Sequence, residues 1–310
     1  MASHFKRLVF VSTVLGIGLF LFVTLYRPMK PNVFIKQDIT VHMSSGEITC
    51  NTEDYEDTDV IRSWKKKDEI LIPNSERLET LFREELAYLY HRYIENVQYR
   101  CKRKIRLGSI EDGGWDICDE EKLRPQRNKS TSSCLVYSFG INNDFSFDEA
   151  IRDYYGCDVH CFDPSMNQDD FDRGKIHFHN LGISSRDEVT RDGWKLLRYN
   201  SIRSQLGHTK DIISILKIDV EMYEWSVLPD ILDTADLRGT NNIALEFHLE
   251  LSSPEQNRER YLSALKLLRK LYEAGYRIFW THQNKWCKFL SKCKKELRTN
   301  CHEVNFVKSE

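Results

Sequence analysis

From residue 134 onward, short apolar runs alternate with stretches of helical period. CLVYSFG (134–140), DVHCFDP (158–164), IHFHNLGIS (176–184), DIISILKIDVE (211–221), NIALEFHLE (242–250) and GYRIFWTHQN (275–284) read as strands. Between them, DFSFDEAIRDYY, EWSVLPDIL and RERYLSALKLLRKLYEAG read as helices. Strands that alternate with helices need crossover connections. The expected fold is therefore α/β, a Rossmann-like, doubly wound, mainly parallel sheet. Upstream, Leu78, Leu81, Phe82, Leu86, Leu89, Tyr90, Tyr93 and Val97 recur at three- and four-residue steps. That spacing predicts one amphipathic helix over 75–99.

The N-terminal pattern is of another kind. Residues 8–26 (LVFVSTVLGIGLFLFVTLY) carry no charge, and as a helix they would span roughly 28 Å, close to the thickness of a bilayer's hydrocarbon core. Lys6 and Arg7 precede the run and Arg27 and Lys30 follow it, so flanking charge orients it only weakly. A short leading tail and a long trailing domain favour a signal anchor. The expectation is a single-pass type II membrane protein of the secretory pathway, in the Golgi. Residues 1–7 would be cytosolic, 27–74 a stem and 75–310 the lumenal domain. The alternative is secretion after signal-peptide cleavage, although the run is long for an h-region and no A-x-A-like site follows. The acidic run NTEDYEDTD (51–59) reads as a solvated linker, and Asn128-Lys129-Ser130 is the single glycosylation sequon.

Composition narrows the function classes. A hydrophobic content of 41% with 12% aromatics can build a core, and Lys+Arg 45 against Asp+Glu 47 leaves a net charge of -2. That balance gives no basic face for a nucleic-acid partner. The nine cysteines include no C-x-x-C pair and suit an oxidising compartment. Being odd in number, they leave a free thiol or a link between chains. Cys50 is the candidate for a disulfide-linked dimer. Cys287, Cys293 and Cys301 could staple the C-terminal tail, and Cys161, inside a strand, reads as a small buried group.

In an open parallel sheet, ligands bind beyond the carboxyl ends of the strands, so the residues that close each apolar run are the site candidates. Gly140 ends the first, followed by Asn142, one of the few non-glycine types that tolerate positive φ. Asp163 follows Gly140 by 23 residues, near the spacing of about 20 for an acid on a nucleoside ribose. The other reading of Asp163 is a turn-former before Pro164. Asp219 and Glu221 stand two apart and point the same way on an extended chain. They could bind a cationic ligand group, bind a metal ion, or take a proton. Glu246 and His248 repeat that spacing, with His248 a candidate general base or a hydrogen-bonded structural histidine. No residue is assigned as a metal ligand.

Six segments, GGWDIC, VYSFGINNDFSFD, VHCFDPS, HNLGIS, LKIDVEMYEWSVL and IALEFHL, stand in this order within 78–310. Together they resemble the class I S-adenosylmethionine-dependent methyltransferases, and more closely the FkbM-related branch and the methyltransferase-like proteins of animals. LKIDVE-x-x-EW is the most specific of them. The resemblance implies S-adenosyl-L-methionine as cofactor. It would set Gly140 and Asn142 against the methionine part, Asp163 on the ribose hydroxyls, Leu181 and Gly182 near the adenine, and Asp219 and Glu221 facing the sulfonium and substrate. The sequence departs from the pattern at Asn142, where a second glycine is common, and at Met222, where glycine often follows D-V-E.

The implied activity is O-methylation of a lumenal acceptor, a glycan or small molecule. Two alternatives stand beside it. One is a type II metal-dependent glycosyltransferase, with ILKIDVE leading into a D-x-D-like site for a nucleotide sugar. The other is a catalytically inactive binding protein of methyltransferase fold.

Overall fold

Eight strands make the central sheet, and their order shows where a ligand can enter. The computed structural model describes residues 70–110, 112–126, 133–235, 237–250 and 255–309, all within one structural unit, Cys50–Glu310. The strands are β1 (Lys104–Leu107), β2 (Trp115–Cys118), β3 (Leu135–Phe139), β4 (Asp158–Phe162), β5 (Phe171–Arg173), β6 (Ile176–His179), β7 (Gly182–Ile183), β8 (Glu188–Val189), β9 (Lys195–Leu197), β10 (Ile213–Ile218), β11 (Asn242–His248), β12 (Tyr276–Gln283), β13 (Lys288–Leu290), β14 (Leu297–Thr299) and β15 (Cys301–Lys308). The helices are α1 (Ser75–Glu79), α2 (Arg83–Ile94), α3 (Ser146–Tyr155), α4 (Tyr199–Gln205), α5 (Glu224–Thr234) and α6 (Arg258–Glu273).

The sheet runs β12-β15-β11-β10-β3-β4-β6-β5. Strands β6, β4, β3, β10 and β11 are mutually parallel, and β15 lies antiparallel between β11 and β12. The α/β, mainly parallel expectation therefore holds, and each apolar run contributes a strand. The run 176–184 breaks after His179, because Gly182 and Ile183 leave the main sheet to pair with β9.

The two faces are covered differently. On one, α2, α5 and α6 bury Tyr137, Phe139, Leu216, Leu245, Phe247 and Phe306. On the other, α3 and the β1–β2 hairpin cover Val136, Val159, Ile215 and Ala244. A hairpin thus stands where a symmetric doubly wound sheet would place further helices.

The predicted helix over 75–99 is two helices. The Glu85 carboxylate accepts the Phe82 amide at 2.9 Å and starts α2 there, with Phe82 in extended conformation as its N-cap. Phe82 is consequently 64% exposed and Val97, beyond the end of α2, 49% exposed, so neither joins the buried stripe.

Disulfides join Cys101 to Cys118, Cys134 to Cys157 and Cys287 to Cys301. They close loops of 17, 23 and 14 residues, each worth about 3 kcal/mol in the chain-entropy account. The last lies within the C-terminal segment, joining the turn before β13 to the start of β15, and Cys161 is a buried free thiol. Among the described residues no helix is long and apolar enough to cross a membrane. Residues 8–26, the stem to residue 69, Cys50 and Asn128 lie outside the described residues.

Candidate active site

Strands β3 and β10 are neighbours although six strands separate them along the chain. The strand order reverses here, and the crevice beyond their carboxyl ends is the expected ligand position. Gly140, just past β3, has φ +81°, and a Cβ on it would lie 1.7 Å from the Asp219 carbonyl oxygen. Only glycine permits that approach. Asn142 and Asn143 continue the turn at φ +46° and +62°, so Asn142 takes the backbone shape that the resemblance assigns to a second glycine.

Asp163 fastens this turn from the end of β4. Its Oδ2 accepts the amides of Ile141 at 2.9 Å and Asn142 at 2.8 Å. Its Oδ1 accepts the Ser165 amide at 2.8 Å and hydroxyl at 2.6 Å. A carboxylate offers about four acceptor positions, and the protein fills them. Of the two readings of Asp163, this geometry supports the turn-former. Gly182 packs beside it so closely that a Cβ would meet Leu196 Cδ2 at 2.7 Å and Pro164 Cγ at 3.0 Å. Leu181 is buried in the main core.

Lys217, in the middle of an apolar strand, is 5% exposed. Its Nζ donates to the carbonyls of Phe139 and Gly140 and stands 3.7 Å from Asp219 Oδ2. It therefore pins the turn from below. Beyond Asp219, Glu221 and Met222 both have positive φ, +51° and +78°. This tight reversal brings Glu224, fully buried at the start of α5, back to accept the Val220 amide at 2.9 Å.

The structure brings Asp219, Glu221 and His248 together. His248 Nδ1 lies 3.2 Å from Glu224 Oε1. Its Nε2 lies 3.7 Å from Glu246 Oε1, 3.8 Å from Glu221 Oε2 and 4.0 Å from Asp219 Oδ1. Burial pulls the imidazole pKa down, but the Glu224 hydrogen bond and the charges of Glu224, Glu246 and Glu221 outweigh it and raise it to about 10. Burial, then Asp219, pushes the Glu246 carboxyl up to about 7. Burial likewise lifts Glu303, opposite Glu246 on β15, to about 8. Asn284 donates to Glu246 at 3.0 Å. The result is a wall of carboxylates around one buried imidazolium.

Sequence reasoning assigned no role to Lys217, Glu224 or Glu303. The sole signals were a lysine interrupting ISILKI, a second glutamate in DVEMYEW, and the alternation of HEVNFV.

A family profile described as "Methyltransferase domain" matches residues 58–308. The chain belongs to this methyltransferase family. Among curated proteins, "Probable methyltransferase-like protein 24" of Homo sapiens is 25% identical over 246 residues, and its Rattus norvegicus counterpart 27% identical over 246 residues. Each alignment covers 72% of this chain and 65% of the relative, so the chain spans somewhat less than two thirds of the relatives' length. A solved structure described as "Structure of a putative methyltransferase from Thermoplasma acidophilum" shares 8% identity at a TM-score of 0.28, covering 57% of this chain and 67% of that one. It is too distant to bear on the site. The crevice between β3 and β10 is the candidate active site of this methyltransferase-family domain.

Proposed function

We propose that this methyltransferase uses S-adenosyl-L-methionine to O-methylate a lumenal acceptor, a glycan or a small molecule. The observation that carries the reading is the carboxylate wall of Asp219, Glu221 and Glu246 beside the Gly140 turn. It sets negative charge at the strand-order reversal, where a sulfonium cofactor would need it. When bound, the cofactor supplies an electrophilic methyl group.

The residues fit the cationic end of that cofactor. Asp219 and Glu221 offer carboxylates to its sulfonium and amino groups, and the turn of Gly140 and Asn142 gives its methionine part a close backbone surface. Asp163 acts through the turn that it holds, since its acceptor positions are filled.

Methyl transfer needs alignment of nucleophile, methyl and sulfur more than covalent help. A hydroxyl acceptor must also lose a proton. His248, held as an imidazolium, is not the base. Glu246, with a carboxyl near neutral pKa, is the better matched group. The lumenal setting is supported by the disulfides, which persist in oxidising compartments, and by the uncharged run 8–26.

Labelled S-adenosylmethionine incubated with the chain and a lumenal glycan pool tests the reading. Label should appear on sugar, and label found on protein side chains alone would overturn the glycan acceptor.

A further inference from the structure

The chain's balanced total charge hides one local excess. Between residues 285 and 298 (KWCKFLSKCKKELR), six cationic side chains stand against a single carboxylate. That carboxylate, Glu296, is taken by Arg298 at 3.0 Å. Lys285, Lys288, Lys292 and Lys295 are exposed, and among the described residues none of the four forms an ion pair. Trp286 is 81% exposed, with the Lys285 ammonium 5.3 Å from its ring centre. Tryptophan is highly buried on average, so a bare indole among lysines is a feature with a use.

The segment has two faces. Lys288–Leu290 (β13) pairs antiparallel with Leu297–Thr299 (β14), Leu290 opposite Leu297. The inner face is anchored on α2: the Phe289 ring lies 6.4 Å from that of His91, and buried Arg298 lies 3.6 Å from Glu84. The outer face, with Lys288, Leu290 and Leu297, is left to solvent, the two leucines 60% and 62% exposed. The Cys287–Cys301 disulfide ties the base of the hairpin to β15. The outer side chains are thus presented by a fixed frame and do not hold it together.

The patch begins at the acceptor side of the crevice. Asn284 donates to Glu246 of the acid wall at 3.0 Å, and the same side chain accepts the Trp286 amide at 3.1 Å. One amide group therefore joins the wall to the start of the basic segment.

We propose that the outer face of this hairpin, with Lys285, Trp286, Lys288, Lys292 and Lys295, docks an anionic glycan, one carrying carboxylate or sulfate groups. Lysine-rich runs are the electrostatic footprint of such polyanions, and the indole gives a sugar ring a flat apolar face. Asp219, Glu221 and Glu246 repel the glycan's anionic groups while the lysines attract them, so a hydroxyl is what turns toward Glu246. An anionic lipid surface could use the same lysines with the Leu290–Leu297 pair. The junction with the crevice through Asn284 favours a ligand that reaches both. That the docked glycan is the methyl acceptor rests on the methyl-transfer reading. The docking does not, and it is measured without cofactor.

The test is calorimetric binding of a heparin oligosaccharide to the full-length chain at about 0.15 M salt, with phosphatidylserine vesicles as the second arm. Heparin should bind and the vesicles should not. Lys285→Gln, Lys288→Gln, Lys292→Gln and Lys295→Gln combined should weaken binding about tenfold or more, and Trp286→Ala about fivefold. Both variants should melt with the wild type, since every changed side chain is exposed. No heparin binding by folded chain, whether or not the vesicles bind, would overturn the proposal, as would unchanged affinity in either variant. Binding of S-adenosylhomocysteine to the same chain reports separately on the cofactor reading.

Discussion

Glu224 Oε1 lies 3.2 Å from His248 Nδ1, with 0% of the glutamate side chain and 5% of the histidine side chain exposed. The pair joins the first turn of α5 to the end of β11. It fixes the ring, and the Trp225 indole, donating to the His248 carbonyl at 2.6 Å, fixes the backbone behind it. The Glu224 hydrogen bond is the largest of the contributions that raise the imidazole pKa against burial.

Stability should peak near pH 6.5. His248 is raised from 6.5 to about 10, so its contribution is full below 6.5 and is lost as pH rises through 10. Burial lifts Asp148, Glu246 and Glu303 to about 6, 7 and 8, and their contributions are likewise lost as pH rises through those values. His91, His160, His179 and His302 are pushed below 6.5 by burial, and their contributions are lost as pH falls below 6.5. Thermal melts from pH 5 to 9 should show the peak, and Glu303→Gln should flatten the alkaline limb. A melting temperature rising steadily to pH 9 would contradict this.

Gly140→Ala should be severe. The new methyl would lie 1.7 Å from the Asp219 carbonyl oxygen, at a φ of +81°. Left-handed backbone alone costs about 1–2 kcal/mol, and the clash forces β3 and β10 apart. Denaturant unfolding should show a loss of about 3 kcal/mol or more.

Asp163→Asn should destabilise the protein with no cofactor present, by about 2–3 kcal/mol. The amide cannot accept from Ile141, Asn142 and both groups of Ser165 at once. An acid that served only a ribose would leave cofactor-free stability unchanged, so unfolding without cofactor separates the roles.

Met222→Gly should raise stability by about 0.5–1 kcal/mol. Met222 holds φ +78°, a conformation that glycine adopts freely and methionine does not. A lower melting temperature would mean that the methionine side chain packs to an extent that outweighs the backbone relief.

The strands were legible where burial on both sheet faces makes an unbroken apolar run, as in LVYSF and ISILKI. Strand β15 was not. Glu303 and Asn305 are buried polar residues alternating with Val304 and Phe306, and HEVNFV resembles a half-exposed edge until its two neighbours are known. Gly140, Asp163 and Asp219 were legible because each ends an apolar run. The state of His248 was not, because it depends on Glu224 and Glu221 from the segment after β10 as well as on Glu246 of its own strand. Asp163 was expected on a ribose, with a turn-former as the other reading; its protein partners, the amides of Ile141, Asn142 and Ser165 and the Ser165 hydroxyl, are ones that no spacing rule reveals.

The central claim is that the crevice between Gly140 and Asp219 binds S-adenosylmethionine. Calorimetric titration of the full-length chain with S-adenosylhomocysteine, alongside Gly140→Ala, tests it most directly. The account predicts one site per chain with micromolar affinity, lost in the variant. No binding by a chain shown to be folded, or equal binding by Gly140→Ala, would contradict it.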